Sequence, residues 1–164
     1  MCTNSLGVDE KLIISIRKSQ LSDLDKLLEF EQGVIASERP FDASLKESHI
    51  TYYNLEKLIT NENAQLVVVE HEGELIASGY AVLKKSEPFE KHDYFSYLGF
   101  MFVDPRYRRK GINKKIIDSL IDWSKSKGIV EIRLDVFDQN HSAVLAYEKL
   151  GFNKTSVKMR MEVT

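Results

Sequence analysis

The sequence predicts an α/β fold of the α+β kind: a mixed, largely antiparallel sheet with helices on both faces and one parallel strand pair at its centre. Three observations carry this reading. A run apolar on both sides, Tyr94–Val103, leads through a basic loop into a long amphipathic helix at residues 112–127, and then into an alternating strand at 129–137. A helix crossover between two strands makes them parallel and neighbouring. Ahead of them, residues 65–70 and 75–83 flank His71-Glu72-Gly73-Glu74, a hairpin turn that makes antiparallel neighbours.

The remaining elements follow from periodicity. Residues 12–17 read as a first strand. Residues 22–31 read as a helix, with Leu24, Leu27, Leu28 and Glu31 on one face and Ser22 with Asp25 at its start. A loop at 32–43 holds Glu38 and Arg39. A second helix is expected at 45–60, with Ile50, Tyr53, Leu55, Leu58 and Ile59 available for packing. In 112–127, Ile112, Ile116, Ile117, Leu120 and Ile121 form one stripe, Lys114, Asp118, Asp122 and Lys125 face away, and Gly128 caps the end. Ile132, Leu134 and Val136 alternate in 129–137. A short helix at 142–150 stops at Gly151, and 152–163 supplies a closing strand or two.

Composition bounds the function. A chain of 164 residues, 43% apolar and 29% charged, suits one globular domain over 1–164, with residues 1–11 expected to be a flexible N-terminus. The net charge of -2 argues against non-specific nucleic-acid binding, which needs a broad basic surface. The single cysteine, Cys2, allows no internal disulfide. No apolar run approaches the roughly 20 residues of a membrane span. A cytoplasmic protein with no membrane partner is the expectation. His49, His71, His92 and His141 lack metal-ligand spacing, so no metal is expected.

The most informative stretch is Val103-Asp-Pro-Arg-Tyr-Arg-Arg-Lys-Gly-Ile-Asn113. It ends a buried strand and opens a helix. Free N–H groups and the helix dipole at such a start favour an anion. Its glycine spacing fits neither a Walker A loop nor a dinucleotide fingerprint. A second signal is Asn140-His-Ser-Ala-Val-Leu-Ala-Tyr-Glu-Lys-Leu-Gly-Phe152.

Together the two stretches resemble the acyl-CoA loop and the last helix of the GNAT superfamily of N-acetyltransferases, and the element order fits nearly the whole chain. The loop motif of that family, Gln/Arg-x-x-Gly-x-Gly/Ala, is matched by Arg108 and Gly111, with Asn113 at the position usually small. Arg109 stands where many members have Gly. The resemblance implies acetyl-CoA as co-substrate and a primary amine, small-molecule or peptide, as acceptor. It implies a pyrophosphate held by backbone N–H groups across Arg108, Arg109, Lys110, Gly111, Ile112 and Asn113, with charge from the three basic side chains. It implies a pantetheine arm along Met101, Phe102 and Val103, where the parallel strands splay, and a bond from the arm to Asn140. Asn140 is equally suited to capping its helix.

The resemblance makes Tyr147 the general acid for the departing thiolate. A phenol with pKa near 10 stays protonated at neutral pH. A backbone N–H within Met101, Phe102 and Val103 is the expected oxyanion donor. Asp135 is a candidate general base, acting directly or through water, with an ion pair to Arg133 as its blander role, and Glu38 is a rival for the base. Glu38 and Arg39 are candidate acceptor contacts, Glu38 for an ammonium and Arg39 for a carboxylate. The leading reading is direct transfer in a ternary complex. A weakly catalytic acyl-CoA sensor of the same fold is the alternative, and a phosphate-binding regulatory domain is a third. Oligomeric state is left open, a homodimer included.

Overall fold

The computed structural model describes residues 11–164; Cys2 and nearly all of the stretch expected to be flexible lie outside the described residues. The elements are β1 (Ser15–Lys18), α1 (Leu24–Glu38), α2 (Leu55–Thr60), β2 (Ala64–His71), β3 (Glu74–Lys85), β4 (Tyr94–Val103), α3 (Ile112–Ser126), β5 (Ile132–Arg133) and α4 (His141–Lys149). The five strands lie in the order β1-β2-β3-β4-β5. All neighbours are antiparallel except β4 and β5, which are parallel.

Both faces of the sheet are covered. Val67, Val69, Ile76 and Leu98 pack against Ile112, Ile116, Ile117 and Leu120 of α3 on one face. Leu66, Val68, Tyr80 and Phe100 pack against Leu27, Phe30 and Val34 of α1 and Leu55 and Ile59 of α2 on the other. The period-2 alternation of β2 therefore serves two cores, which is why the strand reads as continuously apolar.

The structure corrects four element assignments. α1 runs on to Glu38 instead of ending at Glu31, absorbing half of the expected loop. Gly33 sits in its interior, where a Cβ would lie 2.4 Å from the Phe102 ring. The glycine is there for close packing of helix on sheet, and the Phe102 ring stacks on Phe30 at 4.5 Å. Leu28, placed on the buried face by sequence, is 41% exposed.

The helix expected at 45–60 forms only over Leu55–Thr60, with Asn54 capping it by accepting from Lys57 N–H. Ile50, Thr51, Tyr52 and Tyr53 are weak helix formers. Their segment is tied to α1 instead: Gln32 donates to the Ile50 carbonyl, and Glu31 accepts from Tyr52 and Tyr53 N–H. The strand expected at 129–137 forms a ladder only at Ile132–Arg133. Residues 152–163 form no strand with the sheet.

Candidate active site

The site is built where the parallel pair opens. β5 pairs with β4 only at Ser96↔Ile132 and Tyr97↔Arg133, so β4 has no ladder partner on that side from Leu98 onward. On its other side β4 carries a bulge. Ser78 faces Phe102 and Tyr80 faces Gly99, leaving Phe100 and Met101 opposite Gly79 alone. Phe100 takes φ 55, a costly conformation for a bulky residue, and its buried ring packs on Tyr53 at 4.9 Å. A bulge bends the strand and turns its following backbone groups. Met101, Phe102 and Val103 thus lie on the open stretch, and the splay expected from the resemblance is present.

The loop after β4 is shaped by local bonds. Asp104 caps a turn at Pro105–Tyr107 by accepting from Arg106 N–H. The Arg106 guanidinium is engaged by Asp104 and Glu74, both at 2.8 Å. Arg108 Nε donates to the Val103 carbonyl at 3.2 Å, fastening the loop to the strand end. Arg109 takes φ 62 and Gly111, the residue before α3, φ 74. Among the described residues Arg109 and Lys110 make no ion pair, and both side chains stand exposed at the start of α3. The donor set of free first-turn N–H groups and unengaged cations fits a pyrophosphate. Asn113 lies in the first turn with its side-chain oxygen buried and unpartnered.

The remaining candidates are a phenol, Tyr147, and two carboxylates, Glu38 and Asp135. Tyr147, on α4, is half-buried, with its ring edge-on to Phe152 at 5.9 Å. Burial first, and then the charge of Glu38, push its hydroxyl above the ordinary phenol range. Glu38 is the last residue of α1. Its own carboxyl is raised by burial, opposed by a bond from the Tyr52 hydroxyl, and raised again by Asp42. Tyr52, in turn, is pushed up to about 12 by burial and by Glu38.

Asp135 follows the end of β5 by two residues. It accepts from the Tyr97 hydroxyl at 2.9 Å and is exposed. Burial and then Asp135 hold the Tyr97 hydroxyl far up. The alternative pairing with Arg133 is not formed. Arg133 reaches Glu90 at 2.7 Å and Glu131 at 3.0 Å and lies over the Phe95 ring at 3.9 Å. Arg39 is spoken for as well, donating to the Lys46 and Ser48 carbonyls at 2.8 and 3.2 Å. It shapes the loop after α1 rather than standing open to a carboxylate. Asn140 caps α4, accepting from Ala143 N–H at 3.3 Å. Among the described residues no three His, Cys, Asp or Glu side chains converge as a metal site would require, and no helix is long and apolar enough to cross a membrane.

The sequence reading overlooked the tyrosines Tyr52, Tyr80 and Tyr97 as site residues. Tyr97 carried a usable signal: it stands opposite Arg133 in register, two residues before Asp135 on the neighbouring strand. Tyr52 carried none, because its position depends on the loop that Glu31 fastens.

A mixed sheet whose parallel pair opens beside a basic loop entering a helix defines an acyl-transferase architecture. The chain belongs to the acetyltransferase (GNAT) family, whose sequence model matches residues 27–152. It is 36% identical over 56 residues to the [ribosomal protein bS18]-alanine N-acetyltransferase of Salmonella typhimurium, a match spanning 34% of this chain and 38% of that one. It is 42% identical over 55 residues to the thialysine N-epsilon-acetyltransferase of Sus scrofa, across 34% of this chain and 32% of that one. These matches thus span about a third of each relative. A Bacillus halodurans protein shares the fold with a TM-score of 0.82 at 20% identity, covering 92% of this chain and 99% of that one. An acetyltransferase of Clostridium acetobutylicum solved with acetyl-CoA superposes with a TM-score of 0.69 at 20% identity, over 92% of this chain and 96% of that one.

Proposed function

We propose that the chain works as one domain that moves an acetyl group from acetyl-CoA to a primary amine by direct transfer. The observation that carries this reading is the opening of β4 from β5 between an unengaged basic loop and Tyr147. Backbone N–H groups of residues 108–113, with Arg109 and Lys110, hold the pyrophosphate, and Arg108 keeps the loop against β4. The open edge at Met101–Val103 pairs with the amide groups of the pantetheine arm. Asn140, although it caps α4, keeps an NH₂ to offer the same arm.

Acetyl-CoA supplies the thioester. The chain's own residues do the rest. A backbone N–H at Met101 or Phe102, turned by the bulge, donates to the thioester oxygen as charge builds on it. Tyr147 gives its proton to the departing sulfur. Two carboxylates are available as base. Asp135 is exposed and already accepts from Tyr97. Glu38 is half-buried and its carboxyl is raised by burial, which suits a group that must take a proton from an ammonium. We assign Glu38 as the base and Asp135, with Tyr97, to orienting the amine.

The test is calorimetry with acetyl-CoA, followed by turnover against a panel of amines. A ligand that prefers the native state stabilises it by about 2.7 kcal/mol at roughly 100 times its dissociation constant. No binding at millimolar acetyl-CoA would remove the proposal. Binding without turnover on any amine would leave a sensor.

The base assignment makes its own prediction. The native environment disfavours charged Glu38, so the base is lost as pH falls through a pKa above the usual carboxylate range. The acid limb of kcat/KM against pH should therefore lie above that range in the wild type. Glu38→Gln should lower kcat and remove that limb, whereas Asp135→Asn should keep it. An unchanged limb in Glu38→Gln would return the role to Asp135 or to water.

A further inference from the structure

One cation beside the residues that orient the amine has no partner. β3 and β4 lie in register with Tyr80 facing Gly99, Val82 facing Tyr97 and Lys84 facing Phe95, and Tyr97 faces Arg133 of β5 on its other side. Paired residues project to one face of a sheet, as does every second residue along a strand. Lys84, Tyr97 and Arg133 therefore share the face on which Tyr80, Val82 and Tyr97 pack with α1 and α2. Lys84 lies beyond that cover and is exposed.

Its head group is nonetheless placed. Lys84 Nζ stands over the Tyr97 ring, 4.0 Å from its centre, drawn by the negative face of the ring. The hydroxyl of the same tyrosine donates to Asp135 at 2.9 Å. One phenol thus carries a cation on its face and a carboxylate at its tip.

The other basic side chains of this region are taken. Arg133 is held by Glu90 and Glu131, and Arg160 by Asp42. Arg39, to which the sequence points for an acceptor carboxylate, donates to the Lys46 and Ser48 carbonyls. Among the described residues the Lys84 ammonium makes neither an ion pair nor a hydrogen bond, so its charge is free for a ligand.

We propose that the acceptor is a free amino acid, with its ammonium on Asp135 and its carboxylate on Lys84. This rests on the reading above that Asp135 and Tyr97 orient the amine. The spacing between the two charges is set by a single tyrosine. Charge-assisted bonds of about 2.8 Å at each end take up part of it. What remains fits the few bonds between the ammonium and the carboxylate of an amino acid. A polyamine would bring a second ammonium against Lys84 and be repelled. A peptide N-terminus has an amide where the carboxylate would be and leaves Lys84 without its counter-charge.

The test is turnover with acetyl-CoA of a panel of free amino acids, each beside its carboxamide and its decarboxylated amine. Losing a hydrogen bond to a charged group costs roughly 10–100-fold, so the preferred amino acid should exceed its carboxamide in kcat/KM by that factor. Lys84→Met keeps the stem over the ring and removes the charge. It should bring the ratio near one, through a higher Michaelis constant for the amino acid, because the carboxylate is bound alike in ground and transition states. Lys84→Arg should keep most of the preference, and Lys84→Glu should turn it toward the decarboxylated amine. Circular dichroism checks that the variants are folded. Carboxamides or simple amines turned over as well as the amino acids would overturn the proposal and leave acetyl transfer standing. So would an amino-acid preference that survives Lys84→Met, since another group would then hold the carboxylate. Acetyl-CoA binding with no turnover of any compound would remove the acetyl-transfer reading and this proposal with it.

Discussion

Replacing Tyr147 with Phe should reduce turnover by about 10²–10⁴-fold, the usual contribution of a positioned general acid. The ring is kept, so its edge-on packing with Phe152 and its place beside the α3 core remain. Only the proton is lost. The Michaelis constant for acetyl-CoA should move little, because the interaction removed belongs to the transition state. The raised hydroxyl also sets a sign. Burial and the charge of Glu38 disfavour the phenolate, so the acid form persists to higher pH than that of a free tyrosine, and activity should not fall on this account near neutrality. The measurement is initial rate against acetyl-CoA for wild type and variant with one fixed amine. Unchanged turnover would reduce Tyr147 to a packing residue. A raised Michaelis constant with normal turnover would make it a cofactor contact.

The largest effect on stability is expected at Glu31. It is 0% exposed, and one carboxylate oxygen accepts from Tyr52 N–H at 2.6 Å and Tyr53 N–H at 2.8 Å. Glu31→Ala strands both donors. At about 1–3 kcal/mol for each unpaired buried group, the loss should be about 2–6 kcal/mol. Its other oxygen is buried without a partner, so removing it returns part of that cost. Glu31→Gln keeps an acceptor of the same shape and should lose less. Urea denaturation of both variants checks this. The loop that Glu31 fastens carries Tyr52, the partner of Glu38, so the Ala variant should also raise the Michaelis constant for the amine. An Ala variant within 1 kcal/mol of wild type would show that the loop is held by packing alone.

Much of this architecture was legible in the amino-acid order. β4 came out with the bounds read from it, and α3 to within one residue, because both signals are local and long: a doubly buried strand, and four turns of isoleucine and leucine on one stripe. The basic loop and the α4 stretch were legible for a related reason. Caps and left-handed turns are determined by a few adjacent residues, here Asp104, Arg109, Gly111 and Asn140. The family and the fold followed from those two stretches.

What the chain alone does not display is whatever depends on contacts distant in sequence. The helix read over 22–31 runs on to Glu38, with Gly33 packed on the ring of Phe102, sixty-nine residues on. Residues 45–54 read as helical by pattern, but Glu31 takes their backbone donors and holds them as a loop. The bulge at Phe100 and Met101 has no sequence mark, since it is defined by register against Gly79. Glu38 reads as a loop residue, and the longer α1 makes it the half-buried last residue of a helix. Periodicity at 129–137 and 152–163 announces strands correctly in propensity, yet a strand exists only when another backbone completes its ladder. Local order sets which residues are able to pair or ionise, and long-range packing sets which of them do.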